Sequence, residues 1–416
     1  MADGSARILL VVALGLVAAF ALVVVALGDG GDDAPGVTVG LTSPADSAAG
    51  APTGDPASGE IRFVRSATTE FDPFLLEGTL EDRAFIRDHY WRLRGFPPFS
   101  DEAIEWGPPA HFYDDLYALY PSEAKTQQLI EQHPDWILRN GEGAPLYIPF
   151  DCAEGTCPAY AGDPGNPQFR AHWIEQAARQ LAKGYVGIFV DNVNLEMRVS
   201  DGFGVAVAPL DPRTGKAMTL DAWQGYVADF VEQIRAAFPA AELVHNTIWF
   251  TPRTSAVRRA VEAADYVEVE RGFSDFNLAG GDGSGYMSLI DHVDWVHSLG
   301  RSVMLEPYDL DASRRLFELA SYFLVNDGVD SLASDFEANP DNWWPGWEAD
   351  LGAPLGPRTQ SGGVLRRDFE RGMVLVNPPG TPPRTVALPG PHVDLEGTPV
   401  EAVDLGPAQG AVLLAR

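Results

Sequence analysis

The sequence predicts a (β/α)8 barrel followed by a small C-terminal antiparallel β-domain. Short apolar runs flanked by turns recur eight times between residues 61 and 334, as buried parallel strands do. Segments with helical spacing of apolar residues separate the later runs. After Gly356 the helical spacing stops, and short strands divided by Pro and Gly turns take over.

The eight candidate strands are residues 61–66, 111–119, 136–139, 186–192, 243–246, 266–271, 302–307 and 329–334. The segment 68–109 is irregular and rich in aromatics, with a helix expected near 81–93. Asn166-Pro167 caps and starts a helix that Gly184 closes. Trp223, Val227, Phe230, Val231, Ile234 and Phe238 mark the next helix. Ile290, Val293, Val296 and Leu299 mark another, and Leu316, Leu319, Phe323 and Leu324 a last one. Strand and helix in alternation indicate a parallel α/β fold, with a doubly wound sheet as the alternative to a barrel. No Gly-x-Gly-x-x-Gly follows a strand and no phosphate-loop lysine motif occurs, so no nucleotide cofactor is implied. Beyond Gly356, residues 364–367, 373–377, 385–388 and 411–414 read as the strands of the small domain.

The chain therefore divides into residues 1–28, 29–59, 60–356 and 357–416. Residues 8–27 contain no charged residue and as a helix would be about 30 Å long, the thickness of a bilayer core. Arg7 precedes this run and Asp29, Asp32 and Asp33 follow it, which favours an N-inside membrane anchor. A cleaved signal peptide is the rival, with a poor cleavage match at Val25-Ala26-Leu27-Gly28. Either reading exports the rest of the chain. Residues 29–59 are Gly, Ala, Ser, Thr, Pro and Asp with few apolar side chains, a flexible tether. Cys152 and Cys157 lie close together in a loop, and outside the cytoplasm a local disulfide is expected.

Composition narrows the chemistry. The 416-residue chain has 59 acidic and 29 basic residues, a net charge of −30. Such a surface repels nucleic acid phosphates, so nucleic acid is not an expected partner. Two cysteines and eight scattered histidines, without His-x-His or His-Glu-x-x-His, imply no metal site.

In a barrel, chemistry sits at the C-terminal ends of the strands. Gly187-Ile-Phe-Val-Asp191-Asn192 ends an apolar strand in a carboxylate. Val267-Glu268-Val269-Glu270 and Val303-Met-Leu-Glu306 do likewise. A carboxylate there is costly unless it is paired or used. The bland alternative is a cap for Asp191, an ion pair for Glu270 and a rim position for Glu306. Strict alternation points Glu268 the same way as Glu270, so one of the two lies deeper. Two carboxylates across a cleft suit glycoside hydrolysis, one donating a proton and the other attacking, stabilising or activating water. Asn192, Asn246 and Glu306 are candidate sugar contacts beside them. Trp343 and Trp344 follow the last strand, either as sugar-stacking rings or as a hydrophobic plug between barrel and β-domain.

Several segments resemble the family called hypothetical glycosyl hydrolase fifteen. They are Trp136-Ile-Leu-Arg-Asn-Gly-Glu-Gly143, Gly187-Ile-Phe-Val-Asp-Asn192, Glu270-Arg-Gly-Phe273, Asp350-Leu-Gly-Ala-Pro354 and the segment from Arg367 to Pro378. The segment ending at Asp191 also resembles a strand of the polygalactosaminidase-like barrels. The resemblance covers roughly residues 60–416 and implies a TIM barrel with a small β-domain. It carries Asp191 and Glu270 over as the site carboxylates. The expectation is an exported, membrane-tethered glycoside hydrolase acting on a polysaccharide, with Asp191 as nucleophile or stabilising base and Glu270 as general acid. A non-catalytic glycan-binding barrel is the rival.

Overall fold

The computed structural model describes residues 61–279, 285–308, 311–334 and 338–416. The apolar run 8–27 and the tether 29–59 lie outside the described residues. Among the described residues, no helix is long and apolar enough to cross a membrane.

Eight parallel strands close into a barrel. They are β1 (Arg62–Ser66), β2 (Arg92–Gly95), β3 (Ala110–Asp115), β4 (Gly187–Asp191), β5 (Glu242–Asn246), β6 (Tyr266–Arg271), β7 (Ser302–Pro307) and β8 (Ser331–Ser334). Closure is made by β8 against β1, in register from Arg62↔Ser331 to Arg65↔Ser334. Val64, Phe189, Val244, Tyr266, Met304 and Ala333 pack together as the apolar part of the barrel interior. The outward side chains, among them Phe63, Ile188, Leu243 and Val303, join the larger core beneath the helices.

Four of the barrel's later helices begin where a side chain satisfies free N–H groups. Asn166 accepts from Gln168 and Phe169 at the start of Pro167–Leu181. Thr219, Thr254 and Asp311 cap Leu220–Ala237, Ser255–Ala263 and Ala312–Val325 in the same way.

Three expectations from the sequence are corrected. Residues 136–139 are not a barrel strand: Pro134–Trp136 is a 3-10 turn, and Ile137 and Arg139 make only isolated bridges. Their apolar character comes from burial above the barrel, where the Trp136 ring lies 5.8 Å from that of Phe169. The second strand is Arg92–Gly95 instead, and the helix expected over 81–93 ends at His89. Its arginines turn into the barrel, so the strand has no apolar face there to announce it. Arg92 donates to Glu242 at 2.8 and 3.0 Å, and Arg94 pairs with Glu268 and Glu306. The run expected over 111–119 also splits. Its barrel strand stops at Asp115, and Ala118–Leu119 pairs antiparallel with Tyr160–Ala161.

The C-terminal residues form a separate antiparallel sheet of six strands, Thr359–Ser361, Val364–Phe369, Gly372–Asn377, Gln409–Ala415, Arg384–Val393 and Pro399–Leu405 in spatial order. The sheet lies on helix Ala312–Val325. Arg367 donates to the helix-end carbonyls of Phe323 and Leu324 at 3.0 and 3.3 Å and to that of Asn326 at 2.7 Å. A Cβ at Gly410 would approach that of Ala320 to 2.7 Å, so strand and helix backbones meet closely there.

Candidate active site

Alternation along the strands sets the site. Tyr113 and Asp115 of β3, Asp191 of β4, Asn246 of β5, and Glu268 and Glu270 of β6 share the inner face. All but Glu268 lie at or near the C-terminal ends of their strands. Asp191 is the centre of the set. Its Oδ2 accepts from the Tyr113 hydroxyl, and its Oδ1 accepts from Asn246 Nδ2 at 2.9 Å and from the Asn192 N–H at 2.7 Å. Three donors on two oxygens is the pattern an ionised carboxylate makes. The Tyr113 ring is itself held, stacked on Phe189 at 5.7 Å and tilted against Phe96 at 5.0 Å.

Glu270 faces the same group. Burial raises its carboxyl above the usual range, and the negative charge of Asp191 raises it further. The Arg271 charge, a hydrogen bond from the Asn246 side chain and the Arg198 charge oppose the rise. Asn246 lies on the strand between the two carboxylates and donates to Asp191. Arg198 is exposed on the loop after β4, with its carbonyl accepting from the Tyr117 hydroxyl at 3.3 Å.

Both strand ends carry unusual backbone. Asn192 has φ +56° and Arg271 has φ +70°, the left-handed region that non-glycine residues seldom occupy. At Asn192 this turn lets the side chain reach back, with Nδ2 donating to Asp115 Oδ2 at 2.7 Å. Asn192 is therefore a strut between β3 and β4. Asp115 also accepts the N–H groups of Tyr117 and Ala118 at 3.1 and 2.8 Å. Burial and then the charge of Asp191 hold its carboxyl well above the ordinary range, against those bonds.

Beneath Glu270 lies a second acidic pair. Glu268 is fully buried and Glu306 is 2% exposed, so Glu306 sits below the rim. Arg94 bridges the two, donating to Glu268 Oε1 at 2.9 Å and to Glu306 Oε1. Arg94 also donates to Ser66 Oγ at 2.7 Å, and its guanidinium lies 4.3 Å from the Phe189 ring centre. Burial pushes Glu268 up to about 8, against Arg94 and a hydrogen bond with Glu306.

Trp343 and Trp344 are not brought to the carboxylates. The Trp343 ring packs among Phe63, Phe85, His89 and Tyr90 at 5.2 to 5.9 Å, on the outer side of β1. Trp344 stands edge-on to Trp347 at 4.8 Å, with Arg315 over it. Cys152 and Cys157 form a disulfide, with Cα atoms 4.1 Å apart, in a loop above β3 and β4. His297, Asp327 and Asp330 bring ligand-type atoms within 4.8 Å of one another. That group precedes β7 and β8 at the opposite end of the barrel. There Asp330 already binds His297 at 3.0 Å and the Val303 N–H at 2.8 Å.

Sequence reasoning missed Tyr113, Asp115 and Arg94. Asp115 ends its strand in a carboxylate just as Asp191 does, a signal hidden because the strand was drawn through to residue 119.

The family described as hypothetical glycosyl hydrolase family 15 matches residues 110–373. Among solved structures, an alpha-glucosyl transfer enzyme, XgtA, is 10% identical over 87% of this chain and 99% of that one, with a TM-score of 0.50, a likeness of fold alone. The glycoside hydrolase domain of PelA from Pseudomonas aeruginosa is 14% identical over 67% of this chain and 96% of its own, at 0.40. A cyclic alpha-maltosyl-(1→6)-maltose hydrolase from Arthrobacter globiformis is 13% identical over 86% and 98%, at 0.45. No curated protein matches the chain.

Proposed function

Because the chain belongs to hypothetical glycosyl hydrolase family 15, we propose that it is an exported glycoside hydrolase that cleaves a polysaccharide between Asp191 and Glu270. The observation that carries this reading is Asp191, held by Tyr113, Asn246 and the Asn192 N–H at the C-terminal end of the barrel, with the raised carboxyl of Glu270 facing it. Glu270 is the general acid. Burial and the Asp191 charge favour its protonated form, the form that can protonate the leaving glycosidic oxygen. Asp191 remains the carboxylate. Tyr113, Asn246 and the Asn192 N–H orient it toward the anomeric carbon, where it attacks or stabilises the positive charge that develops as the bond breaks. Glu270, once deprotonated, then serves as the base for the next half of the reaction.

Export is supported by the apolar run 8–27 and by the Cys152–Cys157 disulfide, since such bonds persist in oxidising compartments. The anchor reading of that run has a direct test. A retained anchor keeps the protein with membranes through a high-salt wash, and secreted material beginning near Gly28 overturns it.

The functional test is a screen of the purified protein against exopolysaccharides and cell-wall glycans, read as new reducing ends. Activity in the wild type that both Asp191→Asn and Glu270→Gln abolish supports the reading. Glycan binding without hydrolysis would instead assign a non-catalytic barrel.

A further inference from the structure

Helix Ala312–Val325 carries a carboxyl group with no place in the scheme above. Glu318 is fully buried. Its Oε1 accepts the Phe273 N–H at 3.2 Å. Its Oε2 has no hydrogen-bond partner. Burying a carboxyl with so few partners is costly, and a leucine would fill the space more cheaply. Among the described residues, the one bond it makes goes to a turn beside the candidate acid.

That turn follows β6. It begins at Arg271, whose φ is +70°, and continues through Gly272 at +50°. A non-glycine residue held in that region is strained and persists only where its surroundings impose it. Two contacts impose it here. A Cβ at Gly272 would lie 2.6 Å from Glu318 Oε1, so only glycine lets the carboxyl seat against the backbone. Ser274 Oγ donates to the Arg271 carbonyl at 2.6 Å and accepts the Tyr308 N–H at 3.0 Å, tying the ends of β6 and β7. Glu270 immediately precedes Arg271.

We propose that Glu318 is a positioning residue for Glu270, holding the turn after β6 so that the acid points at the glycosidic oxygen. This rests on the reading of Glu270 as the acid. Glu318 acts through its acceptor and not through a charge. Burial pushes its carboxyl up to about 8, against the Phe273 N–H group, so at neutral pH it is an uncharged acid. A side chain that keeps a carbonyl acceptor without a charge therefore replaces it, and one without an acceptor does not.

The test compares Glu318→Gln, Glu318→Leu and Glu318→Asp in the full-length protein. The Asp variant keeps the carboxyl but withdraws it by one methylene, and stands in if Leu does not fold. Two readouts are taken, the kinetic one at a pH near 6. One is kcat and KM on a glycan the wild type hydrolyses. The other is the ¹³C titration of the Glu270 carboxyl, which needs no substrate.

Gln is expected to stay within about threefold of wild type in kcat and to leave the Glu270 titration in place. Leu is expected to lose roughly 10- to 100-fold in kcat with little change in KM, as a displacement of about 1 Å does. Its Glu270 titration should move, and Asp should follow it to a smaller extent. A folded Leu or Asp variant with wild-type kcat, or with an unmoved Glu270 titration, overturns the proposal. Failure of the underlying reading looks different, because Glu270→Gln would then hydrolyse the glycan at the wild-type rate.

Discussion

Asn246 Nδ2 donates to Asp191 Oδ1 across 2.9 Å, from the strand that lies between those of Asp191 and Glu270. The amide thereby holds Asp191 in place while its charge raises the carboxyl of Glu270. Replacing Asp191 by Asn should lower kcat/KM by about 10³-fold or more, the scale of losing an acting carboxylate. Melting temperature should change by only a few degrees, since the group lies at the half-buried mouth and not in the apolar core. A folded variant with wild-type rates on a hydrolysed glycan would remove Asp191 from the mechanism.

As the proposed acid, Glu270 must carry its proton to act, so the rate should fall as pH rises through its pKa. Burial and the Asp191 charge move that limb above the usual carboxylate value of about 4.3. Glu270→Gln should abolish the limb and slow substrates with poor leaving groups far more than those with good ones. Removing the Asp191 charge should lower the Glu270 titration toward the ordinary range. An unchanged titration in Asp191→Asn, followed by carboxyl NMR, would mean that the two groups do not sense each other.

Tyr113→Phe deletes one of the three donors on Asp191 and leaves the ring stack on Phe189 intact. A hydrogen bond to a charged group contributes about 1.5–3 kcal/mol, so kcat should fall roughly 10- to 100-fold with KM little altered. Equal kcat in Phe and Tyr forms would reduce the hydroxyl to packing.

Glu268 links stability to pH. Its folded-state value of about 8 lies above an unfolded value of about 4.3, so the folded chain binds the extra proton between them. The stabilisation is complete below the lower value and is lost as pH rises through about 8. Urea unfolding of wild type should therefore weaken with rising pH by up to about 1.4 kcal/mol per unit relative to Glu268→Gln. Parallel curves for the two proteins between pH 5 and 9 would contradict this.

Much of the barrel was legible because β4 through β7 are apolar runs that end in a polar residue, and because their helices are capped and spaced in the usual way. Asp191, Glu270 and Asn246 could be picked out for the same reason: each marks the point where a hydrophobic strand meets the rim. What was not legible depended on partners distant in sequence. Arg92–Gly95 reads as charged until Glu242, Glu268 and Glu306 are placed opposite it inside the barrel. Trp136 to Leu138 read as a strand because burial alone makes a run apolar, whatever its backbone does. Trp343 stood near the last strand in sequence, yet its ring turns outward to Phe63 and Phe85. Asn192 looked available to a ligand until its amide was seen to bind Asp115.

Helix Ala312–Val325 has nine consecutive buried residues, from Phe317 to Val325, and so no side that can face water. One side meets the turn after β6, and the other meets the sheet that follows it in the chain. Barrel and sheet must therefore be inherited together. A shuffling event that exchanged the C-terminal strands for another module would bare a greasy rod and uncap the carbonyls that Arg367 holds. It would also loosen the helix from which Glu318 reaches the acid. Selection on the outer sheet would then act partly through catalysis, at a distance from any sugar the sheet itself could touch.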